Sequence, residues 1–380
     1  MGMLIALSGH PDVLTAAHLE QPDLQARIKD LLSGVNRGSG SSGWLMETFV
    51  ADAARLDAMF NYESMIIPAN REMIARGLEP LYVVYPVDGL AVADSTLGFI
   101  DRPERADNAA RKAAFVRLRD CLLEDPTQQR ILATGFRAGL IGMNPENAPQ
   151  TVYNPEWGID LGRTISPVAW PEAAVTLKAL ELYQTALRKP SFTVLAVDCS
   201  GSMSGDGLPA LKSALTALFD PRQAETYLIQ TGAKDITVVM PFDDKFLWDP
   251  PLVVEGNDPA DLQALIQRVG TLETRGGTNI YAPIVAAWRL FKSTGPHLSE
   301  YLSAVILMTD GKSRSGSLEF LQARWRQLAA PFDLPPVFAI MYGQASDVQL
   351  KQIAAFTHGP VFDGRAGGLI QAFREARGYN

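Results

Sequence analysis

The sequence predicts an α/β protein. Its C-terminal half is expected to hold a doubly wound, mostly parallel, Rossmann-like sheet, and its N-terminal half a separate α/β domain. Phe192–Val197 is a continuous run of apolar and β-branched residues, typical of a strand buried on both faces. After this run, strand-like and helix-like segments alternate to the end of the chain, as they do when helices join parallel strands. A length of 380 residues fits two domains.

The second half supplies the clearer pattern of elements. Further strands are expected where short apolar runs recur, at Ile236–Met240, Ala304–Met308 and Val337–Tyr342. Helices are expected where apolar residues recur every three or four positions, at Leu208–Phe219, Asp261–Val269, Ala282–Phe291, Leu318–Leu328 and Leu369–Ala376.

The first half is expected to mix helices and strands. Helices are predicted from apolar spacing at Leu24–Leu32, Trp44–Phe60, Asn108–Glu124, Thr127–Thr134 and Pro171–Leu187. Short buried strands are predicted at Met65–Ile67 and Leu81–Pro86. Asn144–Pro171 is rich in Pro, Gly and Asn, and we interpret it as an extended strap or an ordered loop across a domain face. The expected division is a first domain over residues 1–170, a connecting helix over 171–190 and a second domain over 191–380.

The composition excludes some classes of protein. Hydrophobic residues make up 47% and charged residues 20%, which is an ordinary globular balance. The net charge of −8 argues against a nucleic-acid partner, which would require basic patches, but suits divalent cations. Two cysteines, Cys121 and Cys199, cannot form a disulfide framework. A single bridge between them is an alternative, but we expect both to be free thiols.

The sequence contains no apolar run of membrane-spanning length, and Met1–Ser8 is too short for a signal peptide. The chain as given is therefore expected to be soluble. Its location is left open: the bacterial periplasm or cell surface if an anchor precedes Met1, and the cytoplasm otherwise.

Three segments place oxygen-bearing side chains where predicted strands end or a helix begins. They are Asp198–Met203 after the first strand, Gly276–Tyr281 before a helix, and Thr309–Gly311 after another strand. Ligands of open parallel sheets collect beyond the carboxyl ends of the strands, so these side chains are expected to converge. Asp, Ser and Thr oxygens without His or Cys favour Mg²⁺, with Mn²⁺ or Ca²⁺ as alternatives to it, over zinc.

The three segments resemble the von Willebrand factor A and integrin inserted domain family. The metal-ion-dependent adhesion site of that family reads Asp-x-Ser-x-Ser, then Thr, then Asp. The matching positions here are Asp198, Ser200, Ser202, Thr278 and Asp310. The resemblance covers roughly Ser191–Asn380, including the tail Phe356–Phe362, and implies that the serines and threonine contact the metal directly or through water while the aspartates anchor it.

Plainer interpretations exist for single motifs. Asp-x-Ser-x-Ser on its own is often a helix N-cap followed by turn residues, and only the three motifs in order favour a metal site. Asp243 and Asp244 also follow a strand, and we predict a solvated turn for them. Cys199 is expected to pack against the sheet, because no His or second Cys lies near it to support redox chemistry.

The first half offers a weaker candidate site. Gly38–Gly43 precedes a predicted helix and could form a cradle for an anion or polar ligand, although it lacks the Gly-Lys-Ser/Thr ending of a nucleotide-binding loop. Together with Tyr62–Ser64, Tyr85–Gly89 and Asp125–Gly139, it resembles part of a bacterial extracellular, two-lobed solute-binding protein, over roughly Met3–Trp157. About one lobe of that family is missing here. The resemblance implies that Ser41, Ser42, Glu63 and Ser64 would line a surviving cleft.

Three functions are considered. The first is a non-enzymatic adaptor or adhesion protein, whose metal captures an Asp or Glu of a protein partner while the first half senses a ligand or serves as a scaffold. The second is a metal-dependent phosphoester hydrolase, for which only Asp206 is a nearby extra carboxylate. The third, by analogy with bacterial members of the family, is a cofactor of an AAA-type ATPase or a part of a stress or toxic-anion resistance system. We favour the adaptor.

Overall fold

A six-stranded sheet organises the second half of the chain, with strand order β3-β2-β1-β4-β5-β6. The computed structural model describes residues 1–9, 13–54, 56–93, 95–137, 148–163, 166–310, 312–313, 315–329, 334–343 and 347–378. The strands are β1 (Ser191–Asp198), β2 (Ile236–Phe242), β3 (Leu252–Glu255), β4 (Leu302–Thr309), β5 (Val337–Met341) and β6 (Val361–Asp363). β3 runs antiparallel to β2, and all other neighbouring strands are parallel.

Helices precede the sheet and cover both of its faces. Those of the first half are α1 (Gly2–Ser8), α2 (Ala16–Leu19), α3 (Pro22–Ser33), α4 (Ser42–Ala51), α5 (Glu63–Ala75), α6 (Asn108–Leu123), α7 (Asp125–Ala133) and α8 (Ala173–Leu182). Those of the second half are α9 (Gly207–Phe219), α10 (Pro221–Tyr227), α11 (Pro259–Gly270), α12 (Tyr281–Thr294), α13 (Leu318–Leu328), α14 (Asp347–Thr357), α15 (Gly364–Gly367) and α16 (Leu369–Gly378). Within the described residues, no helix has the length and apolar character needed to cross a membrane.

The core lies on both sides of β1, all eight residues of which are buried. Leu195 and Val197 face a cluster formed with α9, α11 and α16, whereas Val194 and Ala196 face a cluster formed with α12, α13 and α14. Alternate residues of one strand thus enter two separate cores, which is why the strand is apolar throughout rather than alternating. The predicted doubly wound, mostly parallel sheet is confirmed for this half.

The strands and helices predicted for the second half all occur, with ends shifted by a few residues. The sequence did not indicate β3, β6, α10 or α14. β3 and β6 are only four and three residues long, and both lie at the edges of the sheet. Short edge strands carry too few residues to show a pattern.

Corrections concern the first half, where no strand occurs among the described residues. The predicted strand Met65–Ile67 is wrong, because these residues lie inside α5, which contains Pro68. Three apolar residues are too few to separate helix from strand, and Pro is normally a helix breaker. The predicted strand Leu81–Pro86 is also wrong, since its described residues join no sheet. α4 ends at Ala51, so the helix predicted to reach Phe60 is too long.

Other predictions for the first half hold in part. α3, α6 and α7 confirm three predicted helices. The helix predicted at Pro171–Leu187 is α8 followed by a π-helical turn, Tyr183–Leu187. The predicted strap has no regular element in its described residues apart from the 3₁₀ turn Pro155–Trp157; residues 144–147 and 164–165 lie outside the described residues.

Candidate metal site at the carboxyl edge of the sheet

The carboxyl ends of β1 and β4 place two of the predicted site residues side by side. β1 and β4 are parallel neighbours in register from Ser191↔Leu302 to Val197↔Met308. Asp198 is the last residue of β1, and Asp310 follows the last residue of β4 directly. Neighbouring parallel strands end at the same edge of a sheet, so residues far apart in sequence meet there.

Side-chain hydrogen bonds connect three of the predicted residues. The hydroxyl of Ser202 donates to Oδ1 of Asp310 over 2.8 Å. The hydroxyls of Ser200 and Ser202 lie 3.0 Å apart. Ser200 and Asp310 are buried, whereas Ser202 is exposed and therefore forms the open side of the cluster.

Asp198 lies at the bottom of this cluster and has no exposed surface. Its Oδ1 accepts a hydrogen bond from the backbone N–H of Ser200 over 2.7 Å, and its Oδ2 accepts one from the hydroxyl of Thr309 over 2.5 Å. Burial raises the pKa of Asp198, and the negative charge of Asp310 raises it further, although these hydrogen bonds act in the opposite direction. Burial likewise raises the pKa of Asp310. The two carboxylates are thus costly to hold ionised without a cation.

Thr278, the fifth predicted residue, lies on a turn formed by residues 275–279. This turn is fastened to the loop after β1, because the Arg275 N–H donates to the Cys199 carbonyl over 2.9 Å and the Gly201 N–H donates to the Gly276 carbonyl over 3.2 Å. Thr278 is buried, and its carbonyl accepts from the hydroxyl of Ser313 over 3.2 Å. Within the described part of the chain, no hydrogen bond joins the Thr278 side chain to the other four predicted residues.

The donor set suits a hard cation. It combines two carboxylates with serine and threonine hydroxyls, which are ligands of Mg²⁺, Mn²⁺ and Ca²⁺. Among the described residues, no Lys or Arg forms an ion pair with Asp198 or Asp310, so that part of the chain offers these two buried carboxylates no positive partner. No group of three or more His, Cys, Asp or Glu side chains with metal-binding geometry occurs in the described ranges. This candidate site has only two carboxylates, so it depends on Ser and Thr hydroxyls for its remaining ligands.

Asp243 lies at the same edge, and the predicted solvated turn is wrong for it. Asp243 is 5% exposed, whereas Asp244 is exposed as expected. Oδ1 of Asp243 accepts from the Lys245 N–H over 2.7 Å, and its Oδ2 lies 3.6 Å from Nε of Arg275. The sequence places Asp243 directly after the strand-forming residues of β2, and that position was the available signal for a buried carboxylate.

Thr309 and Ser313 are two further residues at this site, and no role was predicted for either of them. Thr309 is buried and donates to Asp198. Ser313 is buried too, and its hydroxyl accepts from the Ile280 N–H over 3.2 Å as well as donating to the Thr278 carbonyl. Thr309 thus positions the Asp198 carboxylate, and Ser313 positions the backbone of Thr278. Second-layer contacts of this kind join residues distant in sequence and leave no local motif.

Both cysteines are free, as predicted. Cys121 is exposed and Cys199 is buried. Burial raises the pKa of Cys199 to about 12, and the negative charges of Asp198 and Asp243 act in the same direction. A thiol with so high a pKa is a poor nucleophile, which agrees with the predicted packing role.

Two of the weaker candidates of the first half, Ser41 and Ser42, take part in internal hydrogen bonds. The hydroxyl of Ser41 accepts from the Trp44 N–H over 3.2 Å and so caps α4, while the carbonyl of Ser42 accepts from the Asn61 side chain over 2.9 Å. Ser64 lies in the first turn of α5.

Glu63, the remaining candidate, begins α5 and forms an ion pair with Arg137. Nε and Nη2 of Arg137 lie 2.9 Å and 2.7 Å from the two carboxylate oxygens, and the hydroxyl of Tyr85 donates to the same carboxylate. Burial, followed by the contact with Glu63, raises the pKa of Tyr85 to about 12. Both oxygens of the Glu63 carboxylate are therefore engaged by partners within the protein.

Residues 193–361 match the family described as von Willebrand factor type A domain. This segment is a VWA domain. The match begins within β1 and ends at the first residue of β6, and it leaves residues 1–192 and 362–380 outside. VWA domains are generally non-enzymatic modules of protein–protein interaction, and many hold a divalent metal at the adhesion site. A comparison with curated proteins gives no match.

Several solved structures are similar to the chain. One is a von Willebrand factor type A protein from Catenulispora acidiphila, with 24% identity, a TM-score of 0.40 and coverage of 50% of this chain and 42% of that chain. A second is the pilus adhesin SpaC from Lactobacillus rhamnosus GG, with 13% identity, a TM-score of 0.39 and coverage of 51% and 31%. A third is proximal thread matrix protein 1 of the mussel byssus with a zinc-occupied adhesion site, with 20% identity, a TM-score of 0.33 and coverage of 46% and 44%. The chain spans less than half the length of the first of these structures.

Proposed function

We propose that the VWA domain binds a divalent cation through Asp198, Ser200, Ser202, Thr278 and Asp310, and that this cation captures an Asp or Glu side chain of a protein partner. The observation that supports the proposal most strongly is the contact of Ser202 with Asp310 beside a fully buried Asp198. Two buried carboxylates without a positive partner among the described residues favour cation binding. When bound, the cation supplies a positive charge that attracts a carboxylate from outside.

Each residue has a distinct part in this proposal. The negative charges of Asp198 and Asp310 balance the charge of the cation. The Thr309 hydroxyl and the Ser200 N–H orient the carboxylate of Asp198. The two serine hydroxyls and Thr278 offer neutral oxygen atoms. Because neutral ligands compensate less of the cation's charge than carboxylates do, a guest carboxylate remains attractive. Exposure of Ser202 leaves one side of the cluster accessible to a partner.

A first experiment tests cation binding itself. Titration with Mn²⁺, followed by the electron paramagnetic resonance signal of the free ion, is expected to show one site in the wild type. Asp198→Ala is expected to remove it, because a buried anchoring charge is lost. Ser204→Ala is the matched control, since Ser204 is exposed and follows the motif by two residues.

A second experiment tests the guest. A displayed library of random peptides is selected on immobilised protein in Mg²⁺ and eluted with EDTA. The eluted peptides are expected to be enriched in Asp or Glu and to fail on Asp198→Ala. Elution that does not depend on EDTA, or peptides without acidic residues, would contradict the proposal.

For the first half we propose a scaffold role rather than ligand sensing. The side chains of Ser41 and Glu63 are engaged by Trp44 and by Arg137 with Tyr85, so a small ligand would have to displace existing contacts. A scaffold role predicts that Glu63→Gln lowers the melting temperature, while amino acids and sugars leave the melting temperature of the wild type unchanged. A clear stabilisation by one such solute would favour sensing.

A further inference from the structure

Asp243 occupies the point where β2 meets the loop after β1. Asp198 of β1 pairs with Phe242 of β2, and the Cys199 N–H donates to the Phe242 carbonyl over 2.7 Å. Asp243 is the next residue of the chain. It therefore lies beside the Asp198–Ser202 loop without belonging to the five predicted site residues.

Asp243 also contacts the turn that carries Thr278. Its carbonyl accepts a hydrogen bond from the Asn279 N–H over 3.0 Å, one residue beyond Thr278. A side-chain carbon added to Gly276 would lie 2.8 Å from Oδ2 of Asp243, so the carboxylate is packed directly against this turn. Gly276 has a φ of +66° and offers no room for a larger residue. Arg275, in the same turn, is the cationic neighbour of the carboxylate.

The carboxylate is itself held in a fixed position. Its Oδ1 accepts from the Lys245 N–H, and the Asp243 N–H donates to the Lys245 carbonyl over 2.9 Å. This double contact closes a tight turn after β2 and directs the second oxygen, Oδ2, toward Gly276 and Arg275. Because Asp243 is buried, the packing around it leaves its carboxylate less room to move than a solvated side chain has.

We propose that Asp243 is a positioning residue of the cation site, which holds the turn of residues 275–279 so that Thr278 faces the Asp198–Ser202 loop. This inference rests on the proposed function. Asp243 acts through Thr278 rather than on the cation directly. Residues that orient the ligands of a metal matter nearly as much as the ligands do.

The test is a double-mutant cycle read by Mn²⁺ affinity in the full chain. The four proteins are the wild type, Asp243→Ala, Thr278→Val and the double variant. Asp243→Ala is expected to weaken Mn²⁺ binding about 10-fold, the scale typical of residues that support a metal ligand. In the Thr278→Val background, the same change is expected to cost less than about 2-fold, because residues that act through one another are not additive.

Two further variants separate positioning from general effects. Asp243→Asn keeps the acceptor for the Lys245 N–H and is expected to restore the affinity to within about 3-fold of the wild type. Asp261→Ala removes an exposed negative charge from the first turn of α11 and is expected to leave the affinity unchanged. If circular dichroism shows that Asp243→Ala does not fold, Asp243→Ser takes its place in the cycle, with the same expected loss.

The outcomes distinguish the two proposals. A wild type that binds no Mn²⁺ overturns the proposed function and the positioning role with it. A wild type that binds Mn²⁺ while Asp243→Ala binds equally well overturns the positioning role alone. Additive losses in the double variant also overturn it, because Asp243 would then act independently of Thr278.

Discussion

Arg188 and Asp235 form a buried ion pair, with Nη1 of Arg188 3.1 Å from Oδ1 of Asp235 and Nη2 2.5 Å from Oδ2. The Asp235 carboxylate also accepts from the N–H groups of Ser191 and Gly232 over 2.8 Å each. Arg188 follows the π-helical turn after α8, and Asp235 precedes β2. The pair therefore fastens the connecting segment to the amino end of the sheet, opposite the candidate cation site.

The first prediction concerns this ion pair. Arg188→Met is expected to lower the free energy of unfolding by about 3–5 kcal/mol, because it removes the guanidinium charge that pairs with the buried carboxylate of Asp235. Urea denaturation measures the change. Arg222→Ala, at an exposed position of α10, is the control and is expected to stay within about 0.5 kcal/mol of the wild type. Equal stability of both variants would mean that the pair does not contribute.

The second prediction concerns Asp310 and pH. Because burial raises its pKa, the folded metal-free protein binds a proton at Asp310 more readily than the unfolded chain does. This group therefore lowers stability as pH rises from its usual pKa through the raised value. Asp310→Asn, which can still accept from Ser202, is expected to be more stable than the wild type at neutral pH in EDTA and to lose Mn²⁺ binding. Urea denaturation at several pH values tests this, and a variant less stable than the wild type across that range would contradict it.

A third prediction compares two glycines of positive φ. Gly205 has a φ of +79° with open space around it, whereas a side chain at Gly276 would meet the carboxylates of Asp243 and Asp244 at 2.8 Å and 2.7 Å. Gly205→Ala is expected to cost about 1–2 kcal/mol from backbone strain alone. Gly276→Ala is expected to cost about 1–3 kcal/mol more, because it adds overpacking. Thermal melts that rank the two variants equally would argue against the close packing of this turn.

The fourth prediction concerns the two thiols. Cys121 is exposed and is expected to react with a thiol reagent at pH 8, whereas Cys199 is buried and its pKa is raised to about 12. Thiolate is the reactive form, so one equivalent should react in the folded protein and two after denaturation. Cys121→Ser provides the control and should show no rapid reaction. Rapid labelling of Cys199 in that variant would show that the loop after β1 opens.

How far the sequence predicts the structure differs between the two halves. β1 and β4 are buried on both faces, so their apolar runs are long enough to recognise, and the polar residues after them fix the position of the candidate site. α5 shows the opposite case, because its apolar triplet Met65–Ile67 and internal Pro68 look locally like a strand and a break. α6 has the predicted length but none of its residues is buried, so the apolar spacing that predicted this helix does not correspond to a face packed in a core.

For the candidate site, the sequence indicated which segments lie near one another but not the contacts that hold their side chains in place. Three segments were singled out because each lies at a strand end or a helix start, and the resemblance to the von Willebrand factor A family then pointed to five residues within them. The burial of Asp243 and the contacts of Thr309 and Ser313 depend on how β2 and β4 pack around β1. Such cross-strand contacts are set by register, which a single sequence does not specify.

The order of the strands has a consequence for biosynthesis. β1 lies between β2 and β4 in the sheet, although β4 comes much later in the chain. Asp310, which follows β4, is therefore synthesised more than a hundred residues after Asp198, which ends β1. A nascent chain that has not yet extruded β4 lacks one of the two carboxylates of the proposed cation site. An ion bound there would therefore stabilise only chains in which β1 and β4 are already paired. It would stabilise the folded domain after the sheet has formed and would not help to start folding.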